Sequence, residues 1–224
     1  MNRSVVSQLI LKDLRMGRSG VVLALLAGGG ALALFLLSSG PAGAAGIVAF
    51  FMAIIMMGVF LSTVLVAGER KKQTLPFVMS LPVSPMQYTT AKLIATVGMF
   101  LVPWLALVGT AMAIIATRDD VPNGLIPLTL ALATAPLVGF LITTSVSIVV
   151  ESEGWGILVM AATNVSYSFV WLFVISTPGL TRDLGSPVSV WNGTILTVLG
   201  GELALVVLML GLTFYFQSRK REFV

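Results

Sequence analysis

The 224-residue chain contains no histidine and no cysteine. Their absence excludes Ser–His and Cys–His nucleophile pairs, metal sites built from these residues, and haem ligation by either of them. Charge is also scarce, since 10% of the residues are charged whereas a soluble domain carries about 25%. A chain of this composition cannot build a water-facing surface, and most of its surface therefore has to lie in lipid.

Two further kinds of enzyme are excluded by missing patterns. The sequence has no G-x-x-x-x-G-K-[ST] loop that would hold a nucleotide phosphate. Its four aspartates fall in the amino-terminal tail or in loops, which argues against intramembrane proteolysis by paired aspartates: Asp13, Asp119, Asp120 and Asp183. We therefore expect that the chain is not an enzyme by itself and that it holds no metal or cofactor of its own.

Long uncharged runs predict the fold class. Four runs contain no Asp, Glu, Lys or Arg: residues 19–68, 93–117, 121–150 and 154–181. A helix needs about 20 apolar residues to cross the hydrocarbon core, and the first run holds two spans because Gly40 and Pro41 mark a turn inside it. The sequence predicts an all-α integral membrane protein with six transmembrane helices: Val21–Leu37, Ala45–Ala67, Leu93–Ala116, Leu125–Val150, Trp155–Thr177 and Thr194–Phe216.

The basic residues predict the orientation of these helices. If both termini are cytoplasmic, all of the 13 basic residues except Arg118 and Arg182 lie on the cytoplasmic side, which is the bias that membrane proteins show. We expect a multi-pass protein of the inner or plasma membrane. The net charge of +4 then reflects topology and contact with anionic lipid headgroups, and does not indicate nucleic-acid binding.

The sequence divides into an amino-terminal segment and one membrane domain. Residues 1–20 are predicted to form an amphipathic interfacial helix, with a disordered leader as the alternative. Apolar and basic side chains alternate there at helical spacing: Val5, Leu9 and Leu14 against Lys12, Arg15 and Arg18. Residues 21–224 form a single six-helix domain, which includes a loop at 68–92 and a short cytoplasmic tail at 217–224.

Three residues within the predicted spans are candidates for a gate or cavity. Glu202 is the only charged residue inside a predicted span, and a carboxylate in lipid usually faces a bundle interior, a cavity or a partner. It is therefore either part of a polar lining near the outer mouth or a structural hydrogen-bond acceptor for a neighbouring helix. Pro136 can kink the fourth span, and Trp171 lies in the fifth.

The longest polar interruption is GERKKQTLPFVMSLPVSP, residues 68–85. After the charged residues Glu69–Lys72, Thr74 can cap a short apolar turn that covers Leu75–Leu81. Ser84–Pro85 then have the residue types of a helix N-cap and first helical residue, so the third helix is predicted to begin ahead of the bilayer. The apolar turn is either an amphipathic segment that lies on lipid or an element that docks on another protein.

The stretch GERKKQTLPFVMSLPVSPMQYTTAKL resembles the loop between the second and third spans in permeases of the type 2 ATP-binding-cassette exporter family. The similarity consists of an acidic–basic pair, a Thr-Leu, a Leu-Pro-Val-Ser and a lysine that opens the third span: Glu69-Arg70, Thr74-Leu75, Leu81-Pro82-Val83-Ser84 and Lys92. The family often has a glycine where this chain has Gln73. The six-span layout with both termini inside is also similar.

The resemblance implies that this loop contains a coupling helix seated in a cleft of a separate ATPase subunit. Two permease subunits, as a homodimer or heterodimer, would work with two copies of the ATPase, which would hold ATP and Mg. The coupling residues would be Glu69, Arg70, Thr74, Leu75, Phe77, Val78, Met79, Leu81, Pro82 and Ser84. Glu151 and Glu153, after the fourth span, would make a second cytoplasmic contact.

The residues and the resemblance together predict a permease that exports a hydrophobic or amphipathic substrate, such as a drug, antibiotic, peptide or lipid. The fifth and sixth spans and residues 178–193, with a reduced re-entrant helix, would form the outward gate. Two other classes are the alternatives. An ion-coupled secondary transporter would need inverted repeats and more buried charge, and a membrane scaffold would need neither a cavity nor a coupling loop.

Overall fold

The computed structural model describes residues 3–38, 40–68, 85–150 and 152–219. These residues form helices and connections, without a strand among them: α1 (Arg3–Leu37), α2 (Pro41–Leu61), a π-helical turn (Ser62–Ala67), α3 (Pro85–Thr117), α4 (Leu125–Val150), α5 (Glu153–Ser176), α6 (Pro178–Thr181) and α7 (Gly193–Arg219).

Six of these helices are long and apolar enough to cross a membrane: α1, α2 with its π-helical turn, α3, α4, α5 and α7. The predicted class, an all-helical multi-pass membrane protein, is therefore confirmed. The predicted break in the first uncharged run is confirmed as well. Gly40 has a φ of 63°, which glycine adopts without steric cost, and Pro41 begins α2. The described part of the third long helix runs from Pro85 to Thr117, and its predicted N-cap, Ser84, lies outside the described residues.

α1 and α3 are longer than a membrane span requires. α1 contains 35 residues without interruption, so the predicted interfacial segment and the first span form one helix. α3 contains 33 residues. At a rise of about 1.5 Å per residue each helix is about 50 Å long, whereas the hydrocarbon core measures about 30 Å. Both helices therefore extend beyond the hydrocarbon, and an interfacial position for the start of α1 stays a prediction.

The long helices alternate in direction through the bundle. At one end, Lys92 of α3 contacts Asp13 of α1, and Gln217 of α7 donates to the Ile148 carbonyl of α4. At the other end, Arg118 donates to a backbone carbonyl near the end of α1. We call these the Asp13 end and the Arg118 end. The start of α1 and the end of α7 both lie at the Asp13 end, and its cytoplasmic orientation stays a prediction.

α4 lies at the centre of the bundle. Its span is 67% buried, whereas the spans of α5 and α7 are only 6% buried. Phe140 of α4 stacks on Phe100 of α3 with 4.4 Å between the ring centroids. Nearby, Trp104 Nε1 of α3 donates to the Ala133 carbonyl at 2.7 Å. Because Pro136 has no N–H, this turn of α4 has lost one backbone hydrogen bond, and the indole supplies a donor beside it.

A stripe of small residues lets α1 approach its neighbours. Its buried positions recur every three or four residues: Asp13, Gly17, Gly20, Ala24, Gly28 and Ala31. A Cβ atom on Gly17 would fall 2.5 Å from the Met99 Cε atom, and one on Gly20 would collide with the ring of Phe60. Small residues at this spacing allow close packing of transmembrane helices, here of α1 against α2 and α3.

At the Arg118 end, the segment between α5 and α7 packs against the connection between α3 and α4. The Gly124 amide donates to the Ser186 carbonyl at 2.9 Å. Asn192 caps α7 by accepting from the Ile195 amide at 3.0 Å, and it donates to the Gly179 carbonyl at 2.7 Å. This segment contains the four-residue helix α6, and its predicted role as a re-entrant helix stays a prediction.

We expect Gly46→Ala to destabilise the packing of α2 on α1. A Cβ atom at Gly46 would lie 2.8 Å from both the Ala31 carbonyl oxygen and the Phe35 nitrogen, which are backbone atoms and move only if the helices separate. Overpacking of this kind costs about 1–3 kcal/mol, and the better helix propensity of alanine offsets at most about 1 kcal/mol. The midpoint of thermal unfolding of the purified chain in detergent measures the change.

Gly29→Ala is the matched control, because a Cβ atom there would meet nothing within 4 Å. This variant should keep the unfolding midpoint of the wild type or raise it. Equal midpoints for Gly46→Ala and Gly29→Ala would contradict the close approach of α1 and α2.

Candidate functional site

The predicted coupling residues, from Glu69 to Ser84, lie outside the described residues, and so does Glu151. Glu153 is the first residue of α5, and its side chain also lies outside the described part. On either side of the coupling segment, the π-helical turn ends at Ala67 and α3 begins at Pro85. These two elements are therefore the described parts on which the coupling segment would act.

Asp13 and Lys92 form a buried ion pair close to the start of α3. Lys92 Nζ donates to Asp13 Oδ2 at 2.9 Å, and the two side chains are 2% and 4% exposed. Lys92 lies about 10 Å along α3 from Pro85. The expectation that Asp13 lies in the tail is wrong, because α1 already begins at Arg3 and carries Asp13 into the bundle. Glu202 is thus not the only charged residue in a candidate span.

The face of α3 that carries Lys92 is polar and completely buried. Thr89 and Thr96 lie one turn to either side of Lys92, and both are 0% exposed. Neither hydroxyl forms a hydrogen bond within the described residues, and Asp13 Oδ1 accepts none there, although Lys12 Nζ lies 3.4 Å from it. A buried polar group without a partner costs about 1–3 kcal/mol. The Thr89 and Thr96 hydroxyls and Asp13 Oδ1 can therefore still form hydrogen bonds, either with water or after a movement of α3.

A polar pocket lies between α2, α4 and α5, beside the π-helical turn. Hydroxyl and amide side chains line it: Ser62, Thr143, Thr163, Asn164 and Tyr167. The hydroxyl oxygens of Thr143 and Thr163 lie 3.2 Å apart and join α4 to α5. Gly139 is needed here because a Cβ atom at this position would collide with the Tyr167 hydroxyl. The space is about 10 Å³, enough for about one water molecule.

Two further spaces continue from the polar pocket toward the Arg118 end. A junction pocket of about 20 Å³ shares three wall residues with the polar pocket: Ile55, Pro136 and Tyr167. An apolar cavity of about 240 Å³ shares three wall residues with the junction pocket: Phe51, Leu132 and Trp171. The Trp171 and Phe51 rings meet edge to face, with 6.0 Å between centroids. Pro136 and Trp171 therefore both line this series of spaces, and their role as a gate stays a prediction.

Glu202 does not line any of these three spaces. It is half-buried on α7, and its Oε2 atom accepts no hydrogen bond from the described residues. Gly200 and Gly201, just before it, have open space where a side chain would lie. The described residues thus provide neither a hydrogen-bond donor for Oε2 nor a helix packed against the two glycines, and both interpretations of Glu202 stay predictions.

Sequence reasoning missed the ion pair and the polar pocket. The spacing of small residues indicates that Asp13 is buried. Gly17 and Gly20 follow it by four and seven residues, so all three lie on the helix face that is suited to close packing. The pocket residues offered no comparable signal. A threonine in a membrane helix can bond its own backbone, as Thr163 does toward Val159 and Met160, so its presence alone does not predict a pocket.

No family model matches the chain, and no curated protein or solved structure matches it either. The class that the fold defines is therefore the coarse one, a six-helix multi-pass membrane protein. Any narrower class depends on the sequence pattern of residues 68–92 and on the geometry around it.

Replacing one member of the buried ion pair should destabilise the chain strongly. Asp13→Asn would remove the Asp13 carboxylate from the buried Lys92 ammonium, and breaking a buried pair by removing one partner costs about 3–5 kcal/mol. Exchanging both residues, Asp13→Lys with Lys92→Asp, should recover part of the loss. The unfolding midpoint in lipid nanodiscs measures each step.

The matched control is Asp120→Asn at an exposed pair. Arg118 Nε donates to Asp120 Oδ1 at 2.7 Å, and this hydrogen bond lowers the pKa of Asp120, so the pair is charged at neutral pH. Exposed ion pairs contribute little to stability, and we expect a small change. If Asp13→Asn were as mild as Asp120→Asn, the buried pair would not be what holds α1 to α3.

Proposed function

We propose that this chain is the membrane-spanning permease subunit of an ATP-binding-cassette exporter of the inner or plasma membrane. It would move a hydrophobic or amphipathic substrate out of the cytoplasm or the inner leaflet. ATP hydrolysis would take place on a separate ATPase subunit, present in two copies that hold ATP and Mg. A second permease subunit, identical or different, would complete the complex.

The observation that carries the proposal is the way in which α3 begins. α3 is one helix from Pro85, directly after the predicted coupling segment, to Thr117. Two turns into this helix, the buried contact between Lys92 and Asp13 fastens it to α1. A push on residues 74–83 would therefore reach the start of a continuous helix and, through the ion pair, a second one. This arrangement suits a subunit that receives mechanical work from a partner.

A route from α3 to the cavities supports the same proposal. Further along α3, Phe100 stacks on Phe140 of α4, and Trp104 donates to the Ala133 carbonyl. These contacts flank Pro136, where α4 lacks one backbone hydrogen bond and bends more easily. Pro136 also lines the junction pocket. Movement of α3 would thus be passed to the part of α4 that borders the spaces between α2, α4 and α5.

The walls of these spaces support the proposed substrate class. The larger one is apolar, with Thr129 and the Trp171 indole as its polar groups, and the smaller one has hydroxyl and amide groups among apolar side chains. No group of three or more acidic side chains that would hold a metal ion occurs in the described part of the chain. A substrate with an apolar body and a small polar part fits such walls better than a charged solute.

Co-purification with candidate phosphate-loop ATPases tests the proposal, and Phe77→Asp is the informative variant. Phe77 lies in the apolar turn that is predicted to dock on the ATPase. Loss of one buried Phe side chain, worth about 1.5–3 kcal/mol, should weaken ATPase binding at least about tenfold. Gln73→Asp adds the same charge just before this turn and should change the affinity little. Binding of the purified ATPase to the chain in nanodiscs measures both.

Three results would point elsewhere. If no ATPase binds the native chain, or if Phe77→Asp binds like Gln73→Asp, the coupling proposal is wrong. Export driven by an ion gradient without any ATPase would favour a secondary transporter. ATPase binding without substrate movement in reconstituted vesicles would favour a scaffold.

A further inference from the structure

The apolar cavity lies at the Arg118 end, and every surrounding helix contributes residues from that end. α1 contributes Leu32 and Phe35 from its last two turns, α3 contributes residues between Ala111 and Ile115, and α4 contributes residues between Leu125 and Leu132. The stretch of α4 measures about 10 Å along the helix axis. The cavity therefore lies within about 10 Å of the helix ends, in the outer part of the leaflet opposite the Asp13–Lys92 pair.

The walls of the cavity are suited to hydrocarbon. Apart from Thr129 and the Trp171 indole, the lining consists of aliphatic and phenyl groups and Gly46. An engineered apolar cavity of about 150 Å³ stays dry and binds benzene, and this cavity measures about 240 Å³. It therefore has room for several CH₂ groups, and its walls offer water few hydrogen-bonding partners.

The exposed wall residues indicate that the cavity opens between α2 and α5. Ile47 and Trp171 belong to its wall and are 41% and 40% exposed. α5 is held mainly by α4, and most of its surface is free. In a chain with six membrane-spanning helices, the medium at this depth is lipid hydrocarbon. An acyl chain is thus the molecule that meets the opening.

We propose that the apolar cavity binds the first methylene groups of one acyl chain of a membrane phospholipid, which enter between Ile47 and Trp171. An apolar space of this size leaves its lining without van der Waals partners on one side, and these methylene groups supply them. The headgroup of the same lipid stays in the interface at the Arg118 end, so the site selects for the chain. This inference rests on the six-helix fold and holds with or without an ATPase partner.

Photolabelling tests the inference on the full chain in phosphatidylcholine nanodiscs. One probe is a phosphatidylcholine with a diazirine a few carbons below the glycerol on one acyl chain, and a second probe carries the diazirine at the end of that chain. After illumination, peptide mass spectrometry should find adducts of the first probe on residues 111–115 and 125–132. The second probe should not label these residues above background. Exposed residues of α7, such as Val207, report general contact with lipid.

Ala111→Phe fills the cavity, and Ala106→Phe is its matched control on the exposed surface of the same helix. Ala111→Phe should lower labelling of residues 125–132 by the first probe about tenfold, as expected when about two CH₂ groups lose their burial. Ala106→Phe should leave the labelling unchanged. Ile115→Ala enlarges the cavity and should keep or raise the labelling of residues 125–132. If Ala111→Phe does not fold, Ile115→Ala is the variant that tests the inference.

Three outcomes would overturn the inference. The first is labelling of the cavity residues that Ala111→Phe leaves unchanged in a folded protein. The second is equal labelling of these residues by the two probes. The third is labelling confined to exposed surfaces such as the one around Val207, or lost on enlargement of the cavity by Ile115→Ala.

Discussion

In hydrocarbon, a backbone N–H or C=O group has no water to bond with, so the chain has to provide every partner itself. Each long helix does this internally, and side chains from neighbouring helices supply further donors. Trp104 donates to α4 beside Pro136, and Gln217 donates to the Ile148 carbonyl in the last turn of α4. These donors come from α3 and α7, and the same hydrogen bonds therefore also fix where those helices lie against α4.

The two ends of the bundle are held together by different kinds of contact. At the Asp13 end, the helices are held by a buried charge pair and a polar face of α3, whose energies depend strongly on distance. At the Arg118 end, five helices surround an apolar space, where hydrophobic contacts are non-directional. Contacts with defined geometry therefore lie at the Asp13 end and non-directional ones at the Arg118 end.

Local properties of the sequence were enough to predict the architecture. Apolar length predicts the six long helices, and the chemistry of Gly40–Pro41 predicts the first break. The ion pair is not evident from the sequence, because Lys12 and Arg15 flank Asp13 and make its segment resemble a solvated basic one, although small residues lie on the same helix face. The cavities could not be predicted, because contacts such as Phe51–Trp171 join helices far apart in the sequence.

The π-helical turn at Ser62–Ala67 has a consequence for the length of α2. In this turn the Gly68 amide donates to the Thr63 carbonyl, five residues back, so the turn holds about one residue more than an α-helical turn would. Deleting one residue there would let the helix continue as a regular α-helix. Each residue in an α-helix turns the chain by about 100°, and the deletion would therefore rotate the exit of the chain at Gly68 around the helix axis. The register of this single turn therefore sets the side of the helix axis on which the described part of α2 ends at Gly68.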